Sequence, residues 1–344
     1  MRKIVYMILL SLILIGCNSE NTYYEPSAKE QVVFINGGSI DDYVSYLLLT
    51  TMDEIELKGV VVINADTIAD TAMQVQFKTK KYIKDETKVG LSSARGWNAF
   101  PWNYRKDVIK MSEMEILKEI DDDQKPPYSS GDELLYNILS SALLNESPVT
   151  ILATAPVTSI TDILKKYPEL KNAIKQIVWM GGAIYAAGNL DKNTIPKEIA
   201  NPKAEWNIFW DPEGSSWLLK NTTFPIVLFP LDVTNQAKVT AELKERLSTQ
   251  ALYYRYSKFV YDSYSLVDDE PFFEMWNSVT TAYIARADLF SAPVSMELNI
   301  TTDGYEQGTI FQNPGGRHVS VILNLDDKEG FYTYVLNQFE RDYR

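Results

Sequence analysis

Two adjacent carboxylates stand in "FINGGSIDDYVSYLLL", which starts at Phe34: Asp41 and Asp42, reached through a pair of glycines. Side by side, such acids can hold a cation, stabilise developing positive charge or take a proton. They also suit the first turn of a helix, where free N–H groups and the dipole favour negative charge. A second cluster is "AEWNIF", where Glu205 and Asn207 lie two positions apart. In an extended segment that spacing puts both on one face. An acceptor beside a donor–acceptor on one face could bind a polar ligand, and Asn189 is a further polar side chain upstream. Asp66 and Asp232 each follow an apolar run and could reach the same cleft, although acids there commonly cap turns. The sole histidine, His318, lies in a strand-like region near the C-terminus and reads as structural or surface.

These residues need elements to position them. Short apolar runs alternate with helical spacing along the chain: "QVVFIN", "DDYVSYLLLTTM", "IELKGVVVIN", "DTAMQVQFKTKKYIK", "KVGLSS", "SGDELLYNILSSALLN", "PVTILAT", "PVTSITDILKKYPELKN", "IKQIVWMGG", "DPEGSSWLLKN" and "FPIVLFPLDVT". Continuous apolar strands between helices predict a parallel sheet buried on both faces, an open, mostly parallel, doubly wound α/β fold. Ligands of such sheets sit beyond the carboxyl ends of the strands. That rule selects the turns after Asn36, Asn64, Thr154 and Gly182. "ARGWNAFPWNYRKD" reads as an aromatic loop and "YYRYSKFVYDSYSLVDDEPFFEMW" as an aromatic helical stretch. The C-terminal segment predicts strand pairs followed by a last helix.

The chain has 344 residues, a formal net charge of −13 and 45% hydrophobic residues, enough for a large core and the wrong sign for a nucleic-acid partner. Its opening, "MRKIVYMILLSLILIGC", has a basic start and an apolar run too short to span a membrane. The ending at Cys17, the only cysteine, resembles a bacterial lipoprotein box. Residues 1–17 are therefore expected to be a lipoprotein signal, 18–30 a polar tether, and 31–344 a single domain. The expected location is the cell envelope, with the membrane touched through lipid on Cys17 alone. Self-association into a homo-oligomer is left open.

The strand ends taken together resemble the inosine–uridine-preferring nucleoside hydrolase family. Its opening acid motif falls on Ile35-Asn36-Gly37-Gly38-Ser39-Ile40-Asp41-Asp42. "ILATAPVTSITDILKKYPELKNAIKQIVWMGGAI" is similar to the middle signature, and "GNLDKNTIPKEIANPKAEWNIFWDPEGS" to the ribose-binding stretch. "MWNSVTTAYIARADLF" lies where the family has a His-Asp pair opening a helix. The resemblance implies a Rossmann-like domain that hydrolyses the N-glycosidic bond of a ribonucleoside over a bound calcium ion. It implies Asp42, the Thr154 carbonyl and Asn277 as metal ligands, Asp41 at the ribose and water, and Asn189, Glu205 and Asn207 on the sugar.

The departures from that pattern share a direction. The first two acids of the opening motif are Ile35 and Gly37 here, and the second is the family's metal ligand and presumed base. Asn36 is no obvious substitute, since neighbouring strand residues face opposite ways. The far metal-ligand acid is Asn277, and the histidine before it is Trp276, which stacks or donates one hydrogen bond but delivers no proton. The expectation is calcium bound weakly or not at all. Three readings follow: an active nucleoside hydrolase with an altered site, a silent nucleoside- or sugar-binding lipoprotein, or a glycosidase-like enzyme on another sugar using acids such as Asp66 or Asp232.

Overall fold

The computed structural model describes residues 28–342 apart from 122–123, 191–192, 194, 199 and 271–272. The signal segment with Cys17 and most of the tether lie outside the described residues. The strands are β1 (Glu30–Asn36), β2 (Ile55–Val62), β3 (Val89–Leu91), β4 (Val149–Ala153), β5 (Ile174–Met180), β6 (Ile226–Phe229), β7 (Val294–Ile300), β8 (Ile310–Gln312) and β9 (Arg317–Val321). They form one sheet in the order β3-β2-β1-β4-β5-β6-β9-β7-β8. Every neighbouring pair from β3 through to β9 is parallel, and β7 runs against both β9 and β8. The open, doubly wound α/β fold expected from the alternation is the one observed.

The continuous apolar strands have a direct structural cause. Successive side chains alternate faces, so each strand feeds two cores. Val32, Phe34, Val60, Val62, Leu152 and Val178 enter one, and Val33, Ile35, Val61, Ile63, Ile151 and Ile177 enter the other. The first core is covered by α1 (Ile40–Thr51), α2 (Ala69–Ile83) and the helices Arg255–Ser265, Trp276–Ala282 and Lys328–Phe339. The second is covered by the helices Gly131–Leu144, Thr158–Lys166 and Pro212–Asn221. Each fully buried Val, Leu or Ile contributes about 1.5–3 kcal/mol, so no strand can shift register by one residue without emptying both cores.

Between β1 and α1 the chain turns at Gly37-Gly38. Asn36 is fully buried and bends back on the turn: its Oδ1 accepts from the Gly38 N–H at 2.7 Å while its Nδ2 donates to Gln76 Oε1 at 2.9 Å. Gly38 has φ +86°, and a Cβ there would lie 2.5 Å from Thr67 Cβ. The loop after β2 therefore rests directly on the turn, and only glycine admits it. Gly38→Ala is expected to lose about 2–4 kcal/mol, from left-handed strain plus overpacking. Urea denaturation of the wild type and variant checks this.

Candidate functional site

The site builds outward from Ser39, the N-cap of α1. The Ser39 side chain accepts from the Asp42 N–H, and Asp42 Oδ2 accepts in return from the Ser39 N–H at 2.9 Å and its hydroxyl at 2.8 Å, a capping box. The other Asp42 oxygen, Oδ1, accepts from the Thr154 hydroxyl at 2.5 Å, which ties α1 to the end of β4. The Thr154 carbonyl accepts from Asn207 Nδ2 at 3.3 Å, and the same amide donates to the Met180 carbonyl at the end of β5 at 3.1 Å. Glu205 caps the helix Trp206–Trp210: its carboxylate accepts from the N–H groups of Gly182 and Asn207, each at 2.9 Å, and from Ile208 at 3.3 Å. Asn189 Oδ1 accepts from the Trp206 N–H at 3.2 Å. Asp42, Thr154, Asn207, Glu205 and Asn189 thus share one linked set of contacts at the carboxyl ends of β1, β4 and β5.

The far helix enters through Asp41, which turns away from Asp42. Asp41 Oδ2 accepts from the N–H groups of Asn277 at 2.6 Å and Ser278 at 3.0 Å, at the first turn of the helix Trp276–Ala282. Its Oδ1 accepts from Tyr264 Oη at 2.6 Å and Ser278 Oγ at 2.7 Å. Four donors occupy about the full lone-pair capacity of a carboxylate. Asn277 returns to the hub, its Nδ2 donating to Ser39 Oγ at 3.3 Å. The Trp276 indole N–H donates to Asn235 Oδ1 at 3.0 Å, and its ring packs with Met180, Ala183 and Leu231. The single donor of that side chain is therefore already engaged.

Burial sets the electrostatics. Asp42 is 1% exposed, and burial pushes its carboxyl up to about 6 against the opposing hydrogen bonds from Thr154, Ser39 and the Gly37 N–H. Burial likewise raises Asp41, opposed first by Tyr264 and then by Ser278 and Asn277. Glu205 is lifted to about 7 by burial, opposed by the three backbone N–H groups it caps. Asp42 and Glu205 are thus carboxyls poised to change protonation near neutrality.

Residues 34–333 match the inosine-uridine preferring nucleoside hydrolase family. The chain belongs to that family. It is 31% identical over 216 residues to the pyrimidine-specific ribonucleoside hydrolase RihA of Shewanella woodyi, an overlap covering 57% of this chain and 62% of that protein. The chain thus matches somewhat less than two thirds of the length of such curated relatives. The crystal structure of an inosine-uridine preferring nucleoside hydrolase from Bacillus anthracis superposes with a TM-score of 0.79 at 28% identity, over 90% of this chain and 99% of the other. A purine-preferring ribonucleoside hydrolase from Gardnerella vaginalis gives a TM-score of 0.73 at 17% identity, over 90% and 98% respectively, a likeness of fold.

The family's calcium does not fit the donors present. A Cβ at Gly37 would stand 3.1 Å from Asp42 Oδ2 and 3.7 Å from the Thr154 carbonyl, so the acid that the resemblance implies at position 37 would stand beside the other expected ligands. Of those, Asp42 alone is charged, with both oxygens engaged, and the Thr154 carbonyl is held by Asn207. Among the described residues no three His, Cys, Asp or Glu side chains gather to hold a metal. One carboxylate, one amide and one carbonyl fall well short of the six to eight oxygens that calcium takes.

Three expectations are corrected. Glu205 and Asn207 do not share the face of an extended segment: Glu205 is an N-cap and Asn207 lies in the helix Trp206–Trp210, because the Glu205 carboxylate satisfies that helix's free N–H groups. Asp232 is a loop anchor, its oxygens accepting from the N–H groups of Ile184, Tyr185 and Ala186 at 2.7–3.0 Å. Among the described residues of the aromatic stretch after Tyr254, Arg255–Ser265 forms one helix and Trp276 opens the next. His318 lies at the surface, 3.3 Å from Glu297, as expected. Sequence reasoning missed Ser39, Tyr264 and Ser278. Ser39 was readable from the Ser-x-x-Asp spacing of a capping box; the two partners of Asp41 carry no local signal.

Asp41→Ala leaves two buried N–H groups and two hydroxyls without their acceptor and should cost about 3 kcal/mol or more, measured by urea denaturation. For Glu205, a folded pKa near 7 above the 4.5 of a free carboxyl means that the unfolded chain releases its proton first. Stability is then fully present below pH 4.5 and declines as pH rises to 7, by up to about 3 kcal/mol. Glu205→Gln should flatten that decline in thermal melts recorded across the same range.

Proposed function

We propose that this protein hydrolyses the N-glycosidic bond of a ribonucleoside, releasing ribose and free base. The observation that carries the reading is the hydrogen-bonded chain of polar groups from Asp42 through Thr154 and Asn207 to Glu205 at the carboxyl ends of three parallel strands. Family membership supports it, as do the matches to hydrolases whose names specify pyrimidine or inosine-uridine nucleosides.

Breaking the C–N bond builds positive charge on the ribosyl ring, and low-dielectric carboxylates stabilise that charge. Asp42 is the carboxylate at one end of that chain of groups. Asn207 commits its Nδ2 to the carbonyls of Thr154 and Met180, which orients its Oδ1 as an acceptor for a sugar hydroxyl. Glu205 and Asn189 flank it as further hydroxyl partners. Asp41 acts as a positioning residue that seats the helix Trp276–Ala282 against α1, and Trp276 forms an apolar wall against which a planar base stacks. The lipoprotein box at Cys17 supports attachment to the cell envelope by lipid; among the described residues no helix is long and apolar enough to cross a membrane.

Ribose release from uridine and inosine by the purified protein tests the reading, with calcium and with a chelator. The wild type should release ribose at a rate the chelator does not change. Asn207→Ala should lower kcat/KM by roughly two orders of magnitude, the loss of two hydrogen bonds at about 1–1.5 kcal/mol each. The glycine at position 37 favours one second reading, a silent nucleoside-binding protein. Thermal stabilisation by nucleoside without any ribose release would establish that reading and defeat the first.

A further inference from the structure

One acid near the site has no structural employment. Asp66 lies on the loop that follows β2, one residue before Thr67, and Thr67 is the residue packed on the Gly37-Gly38 turn. Its Oδ1 is buried and has no hydrogen-bond partner. The same loop carries two further buried polar atoms without partners, Asn64 Oδ1 and Thr67 Oγ1. Buried polar groups are nearly always paired, so three on four consecutive residues is a departure that calls for a ligand-facing explanation. The loop is held from outside by Arg105, whose Nε donates to the Thr67 carbonyl at 2.9 Å. Asn64, Ala65 and Arg105 also line a cavity of about 180 Å³, together with Trp97, Phe100 and Trp210. The loop therefore has the glycine turn on one side and a concave, aromatic-lined space on the other.

We propose that Asp66 is the general base of the hydrolysis, taking the place of the acid missing at Gly37. This rests on the hydrolase reading above. Gly38 lets the loop that carries Asp66 pack on the turn through Thr67, next to the position where the family resemblance implies an acid. As the water oxygen bonds to C1′, one of its protons passes to the Asp66 carboxylate. The C1′–N bond breaks, its electron pair leaves on the base nitrogen, and that nitrogen takes a proton from solvent. Asp66 then returns its proton to solvent, so ribose and neutral base are the products. The charged surroundings agree with this role: burial and the carboxylates of Asp42 and Asp107 hold the Asp66 carboxyl well above its ordinary range, Arg105 opposes them, and Glu270 adds to them. A raised affinity for protons is what a base drawing one from water requires.

Steady-state ribose release by Asp66→Asn and Asp66→Ala, with uridine and inosine, tests the inference. Asp66→Asn should lower kcat by about 100-fold or more while KM stays within about threefold. Formate should restore part of the turnover of Asp66→Ala, as an external carboxylate entering the space left behind. Neutralising a buried, unpaired carboxylate should leave the Asp66→Asn melting temperature at or above that of the wild type. A kcat kept within about threefold in Asp66→Asn, a change in KM alone, or a failure of that variant to fold would each overturn the inference and leave the hydrolase reading standing. A wild type that releases no ribose from either nucleoside would defeat the hydrolase reading and this inference together.

Discussion

The structure depends on how two neighbouring carboxylates at one helix end are divided between two different partners. Asp42 turns back to its own cap, Ser39, and across to Thr154 at the end of β4. Asp41 turns the other way, to Tyr264 and the first turn of the helix Trp276–Ala282. Both are buried, each about 1% exposed. What keeps them there is hydrogen bonding to N–H and O–H groups, aided by the favourable dipole at the start of α1. Remove that division and the end of β4, α1 and the far helix lose the junction that fixes their relative positions.

Glycine stands at position 37, where the resemblance implies an acid. No side-chain charge crowds Asp42 from that position, and Thr67, on the loop after β2, packs on Gly38. A site with fewer negative charges has less hold on a divalent ion, and its remaining carbonyl and carboxylate oxygens pair with the protein's own donors instead. The result is a buried polar network satisfied internally, with Asn207 spanning Thr154 and Met180 as a neutral crosslink.

Much of this was readable in the residues. The apolar strands and their helices gave an α/β sheet because burial on both faces leaves a continuous hydrophobic run, and the strand ends pointed to Asn36, Thr154 and Gly182 as site walls. The local conformation of "AEWNIF" was not legible: its alternation suggests an extended segment, and only the capping of the Asn207 and Ile208 N–H groups by Glu205 turns it into a helix. The environment of Asp41 was hidden for another reason. Its partners lie 223 and 237 residues away, so nothing near it in sequence could announce them. The insertion of β9 between β6 and β7 was equally silent, since short half-buried strands carry little information about their neighbours.

That long separation bears on the order of assembly during synthesis. The first half of the chain contains β1 to β4 and α1, yet Asp41 has no partner until residues 264–278 have been made. Until then its carboxylate must stay hydrated, which holds the start of α1 away from full burial and leaves the nascent sheet loosely closed. β9, which pairs with the end of β6, arrives later still. Closure is therefore a late, concerted event that draws on the last third of the polypeptide, and a chain cut short early in that region keeps β1 to β6 while losing β7 to β9 and the partners of Asp41.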